Sequence, residues 1–127
     1  MLPFRVLLVD DEEEFVTALA ERMQLRGLDP KVAFSGEQAL EVLERSLPDV
    51  IVLDLKMPGI GGLEVLRRVK KRYPQVQVII VTGHGSDRDE AAARRLGAFD
   101  HLQKPVEIND LVHIMEQAFR QKPQVAR

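Results

Sequence analysis

Three short runs of apolar residues divide the chain: Val6 to Val9, Val50 to Leu53 and Val76 to Val81. Each run is rich in valine, isoleucine and leucine, and none alternates regularly between apolar and polar residues. A strand with one solvated face would alternate, whereas a nearly continuous apolar run is typical of a strand covered on both faces. The pattern therefore predicts three buried strands.

Between and after these runs, apolar residues recur at the three- and four-residue spacing of an amphipathic helix. Three such stripes are Phe15, Val16, Leu19, Ala20 and Met23; Leu63, Leu66 and Val69; and Ile108, Leu111, Val112, Met115, Ala118 and Phe119. Two weaker strands are predicted over residues 30–34 and 98–102. The chain then reads as strand followed by helix, repeated five times.

Cap signals support these boundaries. Ser35 with Gln38, and Asp87 with Glu90, have the spacing of a capping box, in which the first side chain and the one three residues later cap a helix start. Gly97 stands where a helix would end, as glycine commonly does. We expect helices to begin at these two pairs and one to end before Gly97.

Strict alternation of strand and helix implies a doubly wound parallel sheet with helices on both faces, an α/β fold. A length of 127 residues suits one domain with its own core. We place this domain at residues 4–121 and interpret residues 122–127, which include Pro123 and show no apolar period, as a frayed tail.

Composition excludes several classes of function. The chain has no cysteine, which rules out disulfides, cysteine-bound metals and thiol nucleophiles and suits a cytoplasmic location. A formal net charge of −2 argues against direct nucleic-acid binding, which needs clustered cations. No segment approaches the ~20 apolar residues that a membrane span needs. A membrane is therefore not an expected partner.

Polar residues follow the predicted strands on the side where, in a parallel sheet, ligands bind beyond the carboxyl ends. They are Asp10 and Asp11 after the first strand, Asp54 at the end of the third, Thr82 at the end of the fourth, and Lys104 with Pro105 after the fifth. Three carboxylates brought together repel one another unless a cation lies among them, and oxygen ligands favour Mg²⁺. We therefore predict a magnesium site at this rim.

Such a site suits phosphoryl transfer. With Mg²⁺ held by Asp11 and Asp54, a second Asp54 oxygen could attack phosphorus, while Lys104 and Thr82 contact the phosphoryl oxygens. Taken singly, each residue has a simpler explanation: an aspartate after a strand is commonly a helix cap, and Glu12 to Glu14 are expected to be solvated acids at a helix start. The combination on one rim is what favours function.

These residues lie in motifs that resemble the receiver domain of bacterial two-component response regulators: VLLVDDE, LDLKMPGIGGLEVLR, VIIVTGHG and LGAFDHLQKP, over residues 5 to about 120. The resemblance implies a flavodoxin-like fold with strand order 2-1-3-4-5. It implies that Asp54 is the phosphoacceptor, that Asp11 is a direct metal ligand and that Asp10 acts through water.

The resemblance assigns further roles. The backbone carbonyl of Lys56 would be a metal ligand, Thr82 the switch hydroxyl, Gly83 the small residue beside the phosphoryl group and Lys104 its ammonium partner. Pro105 would follow a cis peptide bond. His101 stands where the family usually has tyrosine or phenylalanine, and Lys56 and His84 flank the phosphoryl group and would tune its lifetime.

We therefore expect a signalling module, not an enzyme: Asp54 accepts a phosphoryl group from a sensor histidine kinase or a histidine phosphotransfer protein, and the surface formed by the fourth helix, fifth strand and fifth helix then changes. The downstream partner is unknown, and a phosphorylation-dependent homodimer is possible. The chain could be a single-domain regulator or part of a longer protein.

Two alternatives stay open at this point. A phosphatase with an aspartyl phosphate intermediate would use similar residues, although such enzymes usually carry a second acid where Lys56 stands. A receiver that has lost phosphorylation and serves only as a docking module would not need the intact set of acceptor, acid pair, hydroxyl and ammonium.

Overall fold

A computed structural model describes residues 4–83 and 86–123 of the chain. Strands and helices alternate throughout these residues. The elements are β1 (Val6–Val9), α1 (Glu13–Gln24), β2 (Lys31–Ala33), α2 (Gly36–Arg45), β3 (Val50–Leu53), α3 (Gly62–Arg72), β4 (Gln77–Thr82), α4 (Asp87–Arg95), β5 (Asp100–Gln103) and α5 (Ile108–Arg120).

The five strands form one parallel sheet in the order β2-β1-β3-β4-β5. This confirms the predicted α/β fold and its 2-1-3-4-5 order. The order reverses direction at β1, so the loops after β1 and β3 leave the sheet side by side, with Val9 aligned to Leu53. A crevice at such a reversal is where ligands bind in this class of sheet.

The central strands are buried on both faces, as their uninterrupted apolar runs predict. Alternate side chains point into two separate cores: Leu8 and Val52 pack with α1 and α5, whereas Leu7 and Ile51 pack with α2, α3 and α4. Each fully buried side chain of this size contributes roughly 1.5–3 kcal/mol. The rim of the sheet therefore rests on a packed core on either side.

The cap of α4 differs from the prediction by one residue. The N-cap is Ser86, whose hydroxyl accepts from the Asp89 N–H at 3.1 Å, while the Asp89 carboxylate accepts from the Ser86 N–H at 3.4 Å. Ser86 with Asp89 and Asp87 with Glu90 share the same spacing, and the backbone begins the helix at the earlier pair. Ser35 accepts from the Gln38 N–H at 3.1 Å, as predicted.

The end of α5 is held at the edge of the sheet where the strands begin, which is the edge opposite the predicted site. Gln77, buried at the start of β4, donates from its side-chain amide to the Ala118 carbonyl at 2.9 Å. The rings of Phe4 and Phe119 stack with centroids 5.3 Å apart. Lys122 Nζ lies 2.6 Å from Asp49 Oδ1, so the first residue of the expected tail has a specific partner.

Residues 124–127 of that tail lie outside the described residues, so its fraying and the domain limits of 4–121 stay predictions. Gly97 has a φ of +105° immediately after α4 and its C-cap residue, which confirms it as the residue that ends this helix. Across residues 4–83 and 86–123, none of the helices has the length and apolar character that crossing a bilayer requires.

Candidate functional site

The predicted rim residues are positioned by backbone hydrogen bonds that extend the sheet beyond its strands. The Asp10 N–H donates to Ala33, and the Asp54 N–H donates to Val9. The Lys104 N–H donates to the Thr82 carbonyl at 3.1 Å. Because the main chain is held at these points, the side chains at the carboxyl ends of β1, β3, β4 and β5 meet at one edge.

Lys104 is the centre of this cluster. Its Nζ lies 2.8 Å from Asp10 Oδ2, 2.5 Å from Glu12 Oε1 and 3.9 Å from Asp54 Oδ2. The same ammonium lies 4.4 Å from the centroid of the Phe15 ring, within cation–π range. The Lys104 side chain is only 12% exposed, so these interactions act with little screening.

Asp10 and Asp54 are both 4% exposed. Burial raises the pKa of Asp54, and the charge of Asp10 raises it further, against the lowering effects of Lys104, the Lys56 N–H and the Thr82 hydroxyl. Burial also raises the pKa of Asp10. Burial thus disfavours the ionised form of both carboxylates, and the nearby ammonium of Lys104 offsets only part of this effect.

The surroundings of Lys104 favour its charged form, unlike those of Asp10 and Asp54. Burial lowers the pKa of the ammonium, but hydrogen bonds with Asp10 and Glu12 and the charge of Asp54 outweigh it, so the pKa of Lys104 is raised. Lys104 is therefore a permanent cation at neutral pH. It offers one positive charge to three carboxylates.

The donor set fits a hard divalent cation. One carboxylate oxygen from each of Asp10, Glu12 and Asp54 lies within 4.8 Å of the other two, and together the three carry more negative charge than Lys104 balances. Oxygen-only ligands of this kind suit Mg²⁺. An open cleft beside them is lined by Asp11, Glu12, Asp54, Lys56, Thr82 and Gly83.

The structure brings together Asp10, Asp54, Thr82 and Lys104, and places Asp11 on the cleft. The role of Asp11 as direct metal ligand stays a prediction. Sequence reasoning missed the contact of Glu12 with Lys104 and treated Glu12 as a solvated acid. Glu12 is one of five consecutive acids, and nothing in the sequence distinguishes it from the others. Only its position, two residues beyond the buried Asp10, could have raised the question.

The Lys56 side chain turns away from Asp54. Its Nζ lies 3.1 Å from Asp89 Oδ2 in the first turn of α4, and this contact lowers the pKa of Asp89. The Lys56 N–H donates to Asp54 Oδ1 at 3.4 Å. The loop that carries the acceptor is thus linked to α4, a connection that the sequence does not reveal.

Three further predicted residues are described by the structure: His101, Gly83 and Pro105. His101 is 13% exposed, with Nδ1 3.6 Å from Glu90 Oε1 of α4. A Cβ added to Gly83 would stand 3.7 Å from Lys104 Cδ, which is ordinary van der Waals contact. The Lys104–Pro105 peptide bond is cis, as expected. His84 lies outside the described residues, so its role stays a prediction.

Comparison with known proteins identifies similar sequences. The family model described as response regulator receiver domain matches residues 6–116. A putative NtrX-like response regulator of Rickettsia felis is 38% identical over 115 residues, which are 89% of this chain and 24% of that protein. The transcriptional regulator NtrC of Escherichia coli K12, named as DNA-binding, is 40% identical over 114 residues, with the same coverage. The chain thus spans about a quarter of these relatives.

Solved structures show the same arrangement. The receiver domain of NtrX from Brucella abortus superposes with a TM-score of 0.86 at 29% identity, covering 92% of this chain and 99% of that one. A CheY-like receiver domain protein from Methanospirillum hungatei gives a TM-score of 0.88 at 25% identity, covering 92% and 94%.

Proposed function

Since this chain belongs to the family of response regulator receiver domains, which act in two-component signalling, we propose that Asp54 is its phosphoacceptor. The observation that carries the proposal is the meeting of Asp54 with Asp10, Thr82 and Lys104, which come from four different strand ends. A docking module without phosphorylation would not need these buried polar groups, which cost free energy to bury.

In the proposed reaction an Asp54 carboxylate oxygen attacks the phosphorus of a phosphohistidine on a sensor histidine kinase or histidine phosphotransfer protein. A P–O bond forms, the P–N bond breaks, and the imidazole nitrogen takes the electron pair. Lys104 is near enough to pair with a phosphoryl oxygen, and the Thr82 hydroxyl can donate to another. Asp10, Asp11, Asp54 and the Lys56 carbonyl would hold Mg²⁺, which supplies charge neutralisation when bound.

Phosphoryl uptake tests this proposal directly. The chain is incubated with Mg²⁺ and a small acyl phosphate, and intact mass is followed over time. We expect one phosphoryl group, located on the peptide that contains Asp54 and absent when EDTA is present. Labelling elsewhere would overturn the assignment. Repeated turnover of a small phosphomonoester would instead favour the phosphatase alternative.

Mg²⁺ is expected to raise the melting temperature by a few degrees, because a ligand at ten times its Kd that binds only the folded chain adds about 1.4 kcal/mol. Asp11→Ala should lose most of this response. Asp29→Ala, an exposed aspartate away from the site, is the control and should respond like the parent. If Asp11→Ala responds fully, the metal is held without Asp11.

The proposed output surface is α4, β5 and α5. Two contacts connect α4 to the site: Lys56 with Asp89, and His101 with Glu90. Movement of Thr82 toward a phosphoryl oxygen would vacate space into which His101 could turn, and both α4 contacts would then change. The surface would thereby report the state of Asp54.

Thr82→Ala should still take a phosphoryl group but show little change in amide exchange over residues 87–119. Phosphorylation of the parent should change exchange there clearly. Thr17→Ala, which removes an exposed hydroxyl from α1, is the control. A change of parental size in phosphorylated Thr82→Ala would mean that coupling does not pass through this hydroxyl.

Lys56 is expected to shield the phosphoryl group from water, since a flexible cation is attracted to a dianion beside it. Lys56→Ala should lose the phosphoryl group several-fold faster by time-resolved intact mass. Asp89→Asn keeps an oxygen to cap Ser86 but weakens the hold on Lys56, so it should lose the group more slowly. An unchanged rate in Lys56→Ala would refute shielding; His84→Ala should change the rate less.

The relatives include a regulator named as DNA-binding, and the absence of direct nucleic-acid contact by this chain stays a prediction. The proposed role is that of a regulator whose only substrate is its own Asp54.

A further inference from the structure

The proposed reaction gives the Glu12 side chain no role, although one of its carboxylate oxygens lies within 4.8 Å of oxygens of Asp10 and Asp54. Glu12 is the N-cap residue of α1, and its Oε1 lies 2.5 Å from Lys104 Nζ. Its main chain also takes part, because the Glu12 N–H donates to Asp10 Oδ1 at 2.9 Å. Glu12 therefore contacts both members of the Asp10–Lys104 ion pair.

The ammonium of Lys104 is held on the side of β1 and α1. Its closest partners are Glu12 and Asp10, and the Phe15 ring lies on the same side. Asp54 is more distant, at 3.9 Å. A phosphoryl group on Asp54 would pair with this ammonium, so Glu12 and Asp10 compete with the phosphoryl group for Lys104.

We infer that Glu12 is a positioning residue that holds Lys104 away from the acceptor in the unphosphorylated chain, and so slows phosphoryl uptake by Asp54. The inference rests on the proposed function of Asp54. Asp10 also binds Lys104, but Asp10 is buried and needs a cation to compensate its charge. Glu12 is exposed over 61% of its side chain, so water can solvate it when Lys104 leaves.

The test compares Glu12→Gln with Glu13→Gln. Both remove one negative charge from neighbouring positions at the start of α1, and both side chains are exposed. Because neutral glutamine binds an ammonium more weakly than carboxylate does, Glu12→Gln should take a phosphoryl group from an acyl phosphate about two- to five-fold faster at saturating Mg²⁺. Glu13→Gln should stay close to the parental rate.

Two further readouts separate positioning from other roles. The NMR signal of the Lys104 side-chain ammonium, assigned by its loss in Lys104→Met, should shift in Glu12→Gln and not in Glu13→Gln. Because Glu12 Oε1 is paired with Lys104 and the proposed Mg²⁺ ligands are other residues, the Mg²⁺ concentration for half-maximal thermal stabilisation should be nearly the same in both variants. Much weaker Mg²⁺ binding in Glu12→Gln would make Glu12 a metal ligand and overturn the inference.

The outcomes also distinguish the two proposals. If the parent takes a phosphoryl group on Asp54 and Glu12→Gln does so at the parental rate or more slowly, the inference about Glu12 fails and the proposed function stands. If the parent takes none under any condition that saturates Mg²⁺, the proposed function fails and the inference fails with it.

Discussion

Asp54→Asn is expected to abolish phosphoryl uptake entirely and, at neutral pH, to make the folded chain more stable. The first effect follows because an amide is not a nucleophile toward phosphorus under these conditions, whereas the carboxylate is. The second follows from the electrostatics of the site. Burial and the charge of Asp10 raise the pKa of Asp54 above its ordinary value of 3.8.

A carboxyl group whose pKa is higher in the folded chain than in the unfolded chain favours folding at low pH. That contribution is fully present below 3.8 and is lost as the pH rises through the raised folded value. At pH 7 without Mg²⁺ the ionised Asp54 therefore opposes folding, and asparagine does not. We expect the melting temperature of Asp54→Asn to exceed that of the parent by a few degrees at pH 7.

Thermal unfolding in EDTA from pH 4 to pH 8 measures this difference, which should shrink toward pH 4. Asp29→Asn, an exposed aspartate, serves as the control and should follow the parent. A lower melting temperature for Asp54→Asn at pH 7 would mean that attraction to Lys104 outweighs burial. Labelling of Asp54→Asn at the parental level would remove Asp54 as acceptor.

Gly62→Ala is expected to destabilise the chain by about 1–3 kcal/mol or more, because the added methyl group has no space. Gly62 begins α3 immediately beside the acceptor loop. A Cβ there would lie within 2.3 Å of the Asp54 carbonyl oxygen and 2.6 Å of Leu55 Cα. Both are main-chain atoms, which cannot move aside without displacing the acceptor itself.

Gly61→Ala supplies the matched control. A Cβ at Gly61 would meet only the Leu55 carbonyl oxygen, at 3.9 Å, and the φ of −72° suits any residue. Its cost should stay within about 1 kcal/mol, that of a poorer N-cap. Urea denaturation of both variants measures the difference. Equal stability of Gly62→Ala and the parent would show that the acceptor loop can shift to accommodate the methyl group. Phosphoryl uptake should then be normal.

The sheet could be predicted from sequence because its signal is local. The runs at β1 and β3 match the observed strands residue for residue, since each residue there is buried. The third run, Val76 to Val81, starts one residue before the observed strand β4. Val76 is buried, but its N–H closes a turn to the Tyr73 carbonyl, so it lies before β4.

The site was predictable only as far as the topology fixes it. Parallel strands bring their carboxyl ends to one edge, which places Asp10, Asp54 and Lys104 together without knowledge of any side chain. The topology does not fix the direction that a long side chain takes. The contacts of Glu12 with Lys104 and of Lys56 with Asp89 depend on rotamers, and no spacing in the sequence encodes them.

The fastening of α5 has a mechanical consequence. The buried amide of Gln77, the Phe4–Phe119 pair and the Lys122–Asp49 ion pair all hold the last turn of the helix or the residues just beyond it. Its first residue, Ile108, follows Lys104 by four positions. The start of α5 is held as well, by the hydrogen bond from Arg26 to Asn109 at 2.7 Å and by the buried side chains of Ile108 and Leu111. If α5 rotated by about 5° around its fastened end, its first residue would move by about 2 Å over the ~20 Å of helix, and these contacts would have to rearrange with it.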